Sequence, residues 1–259
     1  MLKKTGILFM ILLWIASAGV VPAEEARPLF HVIELGGVIT SPSAKYVARS
    51  LEEATAAKAE GLIILLDTPG GLDTAMRDIA KSILNAPLPV IVYVYPSGAR
   101  AASAGVIIAQ AAHVAAMAPG TNIGAAHPVA IGLGGSGEMD KTMSKKVEND
   151  AAAYARSIAK TRGRSEEWAE KAVRKSESIT ADEALKLNVI DVVAVDIEKL
   201  LAAIDQKTVT VAGAKRKIST ARAVLDTKKM STRQGILAAI SNPNIAYLLL
   251  LIGLAGLYF

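Results

Sequence analysis

The chain has 259 residues, a formal net charge of +5 and no cysteine. Without cysteine it can form no disulfide, no cysteine nucleophile and no zinc–thiolate site. Its aromatic content is only 4%, and it has only short basic clusters, such as residues 215–217. Nucleic-acid binding therefore has little support.

The first 23 residues have the layout of a secretory signal peptide. A short positive start leads into an apolar run of secretory length, and the small residues Val21 and Ala23 precede a polar stretch. This pattern predicts cleavage after Ala23, with an uncleaved membrane anchor as the alternative. In both cases we expect the next segment to cross the membrane, so that the domain lies on the extracytoplasmic side.

Residues 24–200 are predicted to form one α/β domain. Residues 62–67 are a continuous apolar run, as expected of a strand that is buried on both faces. Strand and helix patterns alternate along this part of the chain, with strands predicted at 30–39, 62–67, 90–95 and 113–118 and helices at 43–61, 72–86 and 103–112. This recurring order favours a sheet of parallel strands connected by helices.

A glycine-rich stretch at residues 132–140 interrupts this alternation and is predicted to be a mobile loop. It lacks the Gly-Lys-Ser/Thr sequence of a phosphate-binding loop. A long helix is predicted over 141–160, and Thr180 with Glu183 matches a capping box that starts another helix. The last strand of the domain is predicted at 189–195.

The C-terminal part is predicted to leave the domain and enter the membrane. Residues 201–235 alternate around Ala212–Gly213, which indicates a small hairpin, and then continue as a linker. A membrane span needs about 20 apolar residues, so residues 236–259 are predicted to be the start of a transmembrane region that is cut short. A buried C-terminal helix is the alternative.

Ser103 is the candidate nucleophile. It lies in the small-residue sequence AASAG and begins the helix predicted at 103–112, where unpaired backbone N–H groups favour developing negative charge. The Ala104 N–H is then a natural oxyanion donor, and Gly70 and Gly71 offer a second in the turn after an earlier strand. The alternative is structural, because small residues allow a helix to pack tightly and glycines allow a tight turn.

Four motifs in order carry a resemblance to a known family. The sequences LLDTPGG, PVIVYVYPSGARAASAGVIIA, MAPGTNIGAAHPV and ITADEALKLNVIDVV together resemble the NfeD family of membrane-bound serine proteases of the ClpP class. The resemblance implies a ClpP/crotonase-like fold, a Ser-Lys dyad, and cleavage of hydrophobic segments in a stomatin-like membrane partner. In that family the nucleophile lies in the AASAG motif, which is Ser103 here.

The resemblance also implies a lysine base near the start of the long helix, which is Lys146 here. Lys141 and Lys145 lie close to it in the sequence, so the assignment could shift. A lysine acts as a base only when it is neutral, which requires burial. His127 is the alternative base, because GAAHPV is similar to the His-x-Pro setting of the ClpP histidine, and histidine titrates near neutral pH.

Three other titratable residues are interpreted as structural. His31 and His113 fall within strand patterns, and Asp67 ends a strand beside the turn that holds Gly70 and Gly71.

The sequence therefore predicts a membrane-anchored serine endopeptidase that acts as a homo-oligomer of two or more copies on a stomatin-like membrane protein. No metal or other cofactor is expected, because a nucleophile and a base suffice, and no nucleic-acid partner is expected. Two other functions stay open. One is a crotonase-type acyl-CoA enzyme, which export disfavours because coenzyme A is cytoplasmic. The other is a non-catalytic membrane scaffold that binds a stomatin- or flotillin-like partner.

Overall fold

The computed structural model of the chain describes residues 27–129, 141–241 and 243–258. The predicted signal peptide at 1–23 and the glycine-rich stretch at 132–140 lie outside the described residues.

Six parallel strands form the main sheet and confirm the predicted α/β class. In spatial order they are β11 (Val224–Thr227), β1 (Leu29–Gly36), β2 (Gly61–Asp67), β3 (Val90–Val94), β5 (Val114–Met117) and β8 (Val192–Val193). All neighbouring strands pair in parallel. The central strands β2 and β3 have nearly uninterrupted apolar sequences, which suit strands covered on both faces.

The two faces of the main sheet carry two separate apolar cores. Side chains alternate along each strand, so Leu62 and Ile64 of β2 point into one core and Ile63 into the other. The first core contains side chains from α1 (Ser41–Ala56), α2 (Asp73–Leu84), α3 (Ala104–Ala111), α4 (Lys141–Thr161) and α5 (Glu166–Arg174). The second contains side chains from α7 (Ile197–Ile204) and from β9 (Thr208–Val211). Ser103 immediately precedes α3 and therefore belongs to the first side.

A second sheet, absent from the sequence prediction, lies beside Ser103. Its strands are β4 (Arg100–Ala102), β6 (Asn122–Gly124) and β7 (Ser178–Thr180), in the order β4-β6-β7. Each strand has only 3 residues, too few for a periodic pattern to be visible in the sequence. Because β4 runs directly into Ser103, this sheet fixes the chain on its approach to the candidate nucleophile.

Two helix predictions from the sequence are confirmed. The long helix predicted at 141–160 is α4. The capping box starts α6 (Ala181–Lys186): the Thr180 hydroxyl accepts from the Glu183 N–H at 3.4 Å, and the Glu183 carboxylate accepts from the Thr180 N–H at 2.8 Å.

The segment 201–235 contains more regular structure than a hairpin and a linker. Strands β9 and β10 (Ala214–Lys217) pair antiparallel around Ala212 and Gly213, whose φ angles of 47° and 81° suit the tight turn of a two-residue hairpin. Further along, β11 joins the main sheet beside β1. This strand is a short edge strand with Val224 and Leu225 exposed, so its sequence lacks the buried apolar run that marked β2.

Two helices follow β11, namely α8 (Thr232–Ile240) and α9 (Pro243–Tyr258). Within the described ranges, no single helix has both the length and the apolar composition of a membrane span. The helix α8 and residues Ile245–Tyr258, bent by 73° relative to each other, pass that test together on length and composition alone. The predicted transmembrane region at 236–259 falls on these two helices and stays a prediction.

Candidate active site

Ser103 has a strained backbone at the start of α3. It is the N-cap of this helix, with a φ of 54° and a ψ of −111°, a conformation that costs a non-glycine residue about 1–3 kcal/mol and is typical of functional sites. Its own N–H donates to the Gly124 carbonyl at 3.0 Å, which ties the serine to the second sheet. The sequence signal for Ser103 thus corresponds to a sharp turn between β4 and α3.

The turn that follows β2 packs directly against Ser103. Thr68 is fully buried, and its hydroxyl contacts the carbonyls of Gly37 at 2.6 Å and of Gly70 at 3.1 Å. The same hydroxyl accepts from the Gly70 N–H at 3.0 Å. Gly70 was a predicted oxyanion donor, but its N–H is used within the turn.

Gly71 and Ala104 are the two predicted oxyanion donors that line the same cleft as Ser103. Within the described part of the chain, neither backbone N–H has a hydrogen-bond partner. Gly71 pairs with Ile39 in an isolated parallel bridge, and a β-carbon at position 71 would lie 2.1 Å from the Ile39 carbonyl oxygen. Only glycine therefore allows the chain to approach this closely.

The cleft above Ser103 has a volume of about 590 Å³. It lies between the first turn of α2, the start of α3, one face of α4 and the segment 126–129. Most of its lining is apolar, from Leu72, Met76, Ile107, Ala126, Pro128, Val129, Val147, Ala151 and Val173, and the charged lining residues are Asp73, Arg77, Lys146 and Asp150.

Lys146 of α4 and Ser103 both line this cleft. The structure therefore brings the predicted nucleophile and the predicted base to one site. The side chain of Lys146 is exposed, and the buried residues of α4 begin only at Ala152. The described residues therefore do not bury Lys146 in the way that a neutral lysine requires. Lys141 and Lys145 do not line the cleft.

His127, the alternative base, is held outside this cleft. Its ring Nδ1 lies 3.1 Å from the Val173 carbonyl oxygen, and its neighbours Ala126 and Pro128 line the cleft whereas His127 does not. The ring anchors the segment that forms one wall. Of the two candidate bases, Lys146 lines the cleft with Ser103 and His127 does not.

The other titratable residues singled out in the sequence have structural surroundings. His113 Nδ1 accepts from the Val90 N–H at 3.1 Å, and burial, followed by the nearby Arg162 and Arg164, lowers its pKa to about 3. His31 is buried in β1. Asp67 accepts from the Arg100 N–H at 3.1 Å and so supports the turn.

A group of polar residues that line the cleft was not anticipated from the sequence. Arg77 of α2 pairs with Asp73 at 2.9 Å and with Asp150 at 2.5 Å, and its guanidinium lies 4.4 Å from the centre of the Tyr154 ring. Arg77 is far in the chain from Asp150 and Tyr154 of α4 and meets them only in the folded domain.

Comparison with known sequences identifies similar domains. The family described as NfeD1b, N-terminal domain, matches residues 30–214. The chain is 38% identical over 234 residues to the membrane-bound protease PH1510 of Pyrococcus horikoshii, across 90% of this chain and 53% of that protein. It is 36% identical over 104 residues to the membrane protein NfeD1b of Bacillus subtilis, across 40% of this chain and 23% of that protein. The chain thus spans about half the length of PH1510.

Solved structures show the same fold. A lysine-to-alanine variant of 1510-N, a membrane-bound stomatin-specific protease in complex with a substrate peptide, is 35% identical with a TM-score of 0.77, over 84% of this chain and 99% of that chain. A serine-to-alanine variant of 1510-N is 37% identical with a TM-score of 0.74, over 80% and 100% of the two chains. A ClpP1 variant from Listeria monocytogenes is 22% identical with a TM-score of 0.53, over 65% and 94% of the chains, and it shares the fold alone.

Proposed function

Because the chain belongs to the family of NfeD1b N-terminal domains, we propose that it is a membrane-associated serine endopeptidase with Ser103 as nucleophile and Lys146 as base. The observation that carries this proposal is that the two residues, Ser103 just before α3 and Lys146 on α4, line one cleft. The strained backbone of Ser103 adds to it. Both a serine-to-alanine and a lysine-to-alanine variant of the similar 1510-N protease have been solved.

The proposed reaction follows from the positions of these groups. Lys146, when neutral, takes the proton of the Ser103 hydroxyl as the Ser103 oxygen attacks the peptide carbonyl. The N–H groups of Gly71 and Ala104 stabilise the resulting oxyanion, and loss of one such donor typically costs about 3–4 kcal/mol of barrier. The lysine then passes the proton to the departing amine, and water releases the acyl group from Ser103.

The cleft supports an apolar peptide as substrate. Leu72 is 44% exposed, Val129 76% and Val147 38%, so the walls around Ser103 offer apolar surface that a bound apolar segment would cover. We propose a stomatin-like membrane protein as the natural substrate, because the 1510-N relative is described as specific for a stomatin homologue. The exposed Lys146 would become buried when such a segment binds or when a second copy assembles, which favours a homo-oligomer.

The membrane attachment is also a proposal. The relatives are named membrane-bound or membrane proteins, and the signal-peptide pattern precedes the domain while the helix pair follows it. We place the catalytic domain on the extracytoplasmic side. Protease added to intact spheroplasts should digest the domain, and protection until the cells are lysed would refute this placement.

A fluorophosphonate probe tests the catalytic assignment. We expect the probe to label the wild-type chain and the Ser97→Ala variant, which changes an exposed serine in the preceding turn, and to leave Ser103→Ala unlabelled. Equal labelling of Ser103→Ala would show that Ser103 is not the nucleophile. A folded wild-type chain that takes no label and cleaves no apolar peptide would favour the scaffold function.

A further inference from the structure

Lys146 lies on a part of α4 that the apolar core does not hold. The buried residues of this helix are Ala152, Ala155, Ile158 and Ala159, all of which follow Lys146 by more than one turn. The side chains from Lys145 to Val147 are exposed. Something other than core packing must therefore fix the position of the proposed base relative to Ser103.

On one side, Arg77 of α2 forms an ion pair with the helical turn that follows Lys146. Its guanidinium contacts the Asp150 carboxylate at 2.5 Å and the Asp73 carboxylate at 2.9 Å, and it stacks on the Tyr154 ring. Asp150 is one helical turn beyond Lys146, and both line the cleft. The contact with Asp73 fixes the arginine on its own helix.

On the other side, Arg174 of α5 contacts the same helical turn. Its guanidinium contacts the Glu148 carboxylate at 3.0 Å and the Asn149 amide oxygen at 2.8 Å. A further contact with Glu170 at 2.7 Å fixes this arginine on its own helix. Unlike Arg77, Arg174 does not line the cleft.

We propose that Arg77 and Arg174 are positioning residues for Lys146, which together hold the first half of α4 from two sides and set the place of the base over Ser103. This proposal rests on the proposed function. It explains why two arginines from different helices both contact residues 148–150, directly after Lys146, although this part of α4 contributes no buried apolar side chain.

The expected effect is on turnover more than on folding. Ion pairs between partly exposed side chains contribute little to stability, and Arg77 and Arg174 are each 34% exposed. A displacement of about 1 Å at a catalytic group can cost about 100-fold in rate. We expect Arg174→Gln to lower kcat about 10-fold, with KM unchanged, because Arg174 has no contact with the cleft.

The test uses the full chain and a quenched fluorogenic peptide with a leucine- and valine-rich centre. Kinetic constants are measured for Arg174→Gln, Arg77→Gln and Asp150→Asn, each alone and combined with Lys146→Ala. Arg77→Lys, which keeps the charge but not the forked geometry, should recover part of the loss. Arg49→Gln is the matched control, because Arg49 forms an ion pair of 2.7 Å with Glu53 on α1, away from the cleft. Thermal unfolding of every variant identifies any that fail to fold.

The two backgrounds separate this proposal from the proposed function. If the arginines act through Lys146, their effect on turnover should vanish once Lys146 is alanine. Wild-type kcat in folded Arg174→Gln and Asp150→Asn would overturn the proposal, as would an equal loss in both backgrounds. Wild-type turnover in Lys146→Ala would instead refute Lys146 as the base. The proposal that the two arginines position it would then fall as well.

Discussion

Gly70 lies so close to Ser103 that a β-carbon at position 70 would stand 2.7 Å from the Ser103 Cβ and 3.1 Å from its Oγ. Gly70 also has a φ of 119°, a region that side chains rarely adopt. The turn after β2 therefore limits the space on one side of the proposed nucleophile, and its N–H is already used by Thr68. The contribution of Gly70 is steric, while Gly71 and Ala104 remain the proposed donors.

Gly70→Ala should abolish peptide cleavage, because the added methyl group would displace Ser103. Gly98→Ala is the matched control: Gly98 has a φ of 90°, but nothing lies within 4 Å of a β-carbon there. Both variants should lose about 1–3 kcal/mol of unfolding free energy through backbone strain, measured by urea titration. Peptide cleavage should be lost only in Gly70→Ala, and near-wild-type activity in that variant would contradict the close packing.

Ser103→Gly should be inactive yet more stable than Ser103→Ala. Both substitutions remove the hydroxyl, but only glycine adopts a φ of 54° with a ψ of −111° without strain. We expect a difference of about 1 kcal/mol in unfolding free energy, after allowance for the greater flexibility of glycine in the unfolded chain. Equal stability of the two variants would show that the turn at Ser103 stores no strain.

Lys146→Ala should lower the rate of peptide cleavage by several orders of magnitude, as removal of other nucleophile-activating bases does. Lys146→Arg should fail to restore the rate, because a guanidinium stays protonated at any usable pH.

His127→Ala is the matching test of the alternative base. It should lose far less activity, since its ring contacts the Val173 carbonyl and does not line the cleft. A dead His127→Ala enzyme beside an active, folded Lys146→Ala enzyme would reverse the assignment of the base.

The domain should lose stability in mild acid because of His113. Burial, and then Arg162 and Arg164, lower the pKa of His113 to about 3 in the folded chain, against about 6.5 when unfolded. Between these values the unfolded chain binds more protons, so this contribution is fully present above pH 6.5 and is lost as the pH falls. The unfolding free energy should drop by roughly 2 kcal/mol between about pH 8 and pH 5.

Denaturant titrations of wild type and His113→Asn measure that contribution. Asparagine can still accept the Val90 N–H that His113 Nδ1 accepts, but it does not titrate. The unfolding free energy of His113→Asn should depend less on pH than that of wild type. Some dependence should remain from His31, because burial, and then Lys228, lower its pKa as well. An equal pH dependence of the unfolding free energy in wild type and His113→Asn would contradict the role of His113.

Local signals made much of the fold and part of the site predictable. The strands β2 and β3 are continuous apolar runs, and Ser103 stands where small residues meet an apolar helix pattern, so neighbouring residues are enough to find them. The resemblance to the NfeD family supplied Lys146, which no local pattern distinguishes from Lys145.

The remaining features depend on contacts between distant parts of the chain. The Gly70 N–H is used by a side chain two residues away, a detail of turn geometry that a glycine pair does not encode. Arg77 and Asp150 are 73 residues apart in the chain and meet only in the folded domain. The strand β11 pairs with β1 from the far end of the domain, and its exposed edge position leaves no apolar run to mark it.

The connection between the main sheet and the C-terminal helices is very short. β11 ends at Thr227 and α8 begins at Thr232, and between them Lys228 is fixed by its N–H to the Val32 carbonyl at 2.8 Å and by its carbonyl to the Tyr46 hydroxyl at 2.7 Å. An extended residue spans at most about 3.5 Å, so residues 229–231 reach at most about 10 Å, and Met230 among them packs against the first core. With the membrane attachment proposed above, the domain can neither swing far from the bilayer nor search the surrounding solution. Its cleft would work at a nearly constant height above the lipid, and the chains it cuts would be those that a neighbouring membrane protein presents at that height.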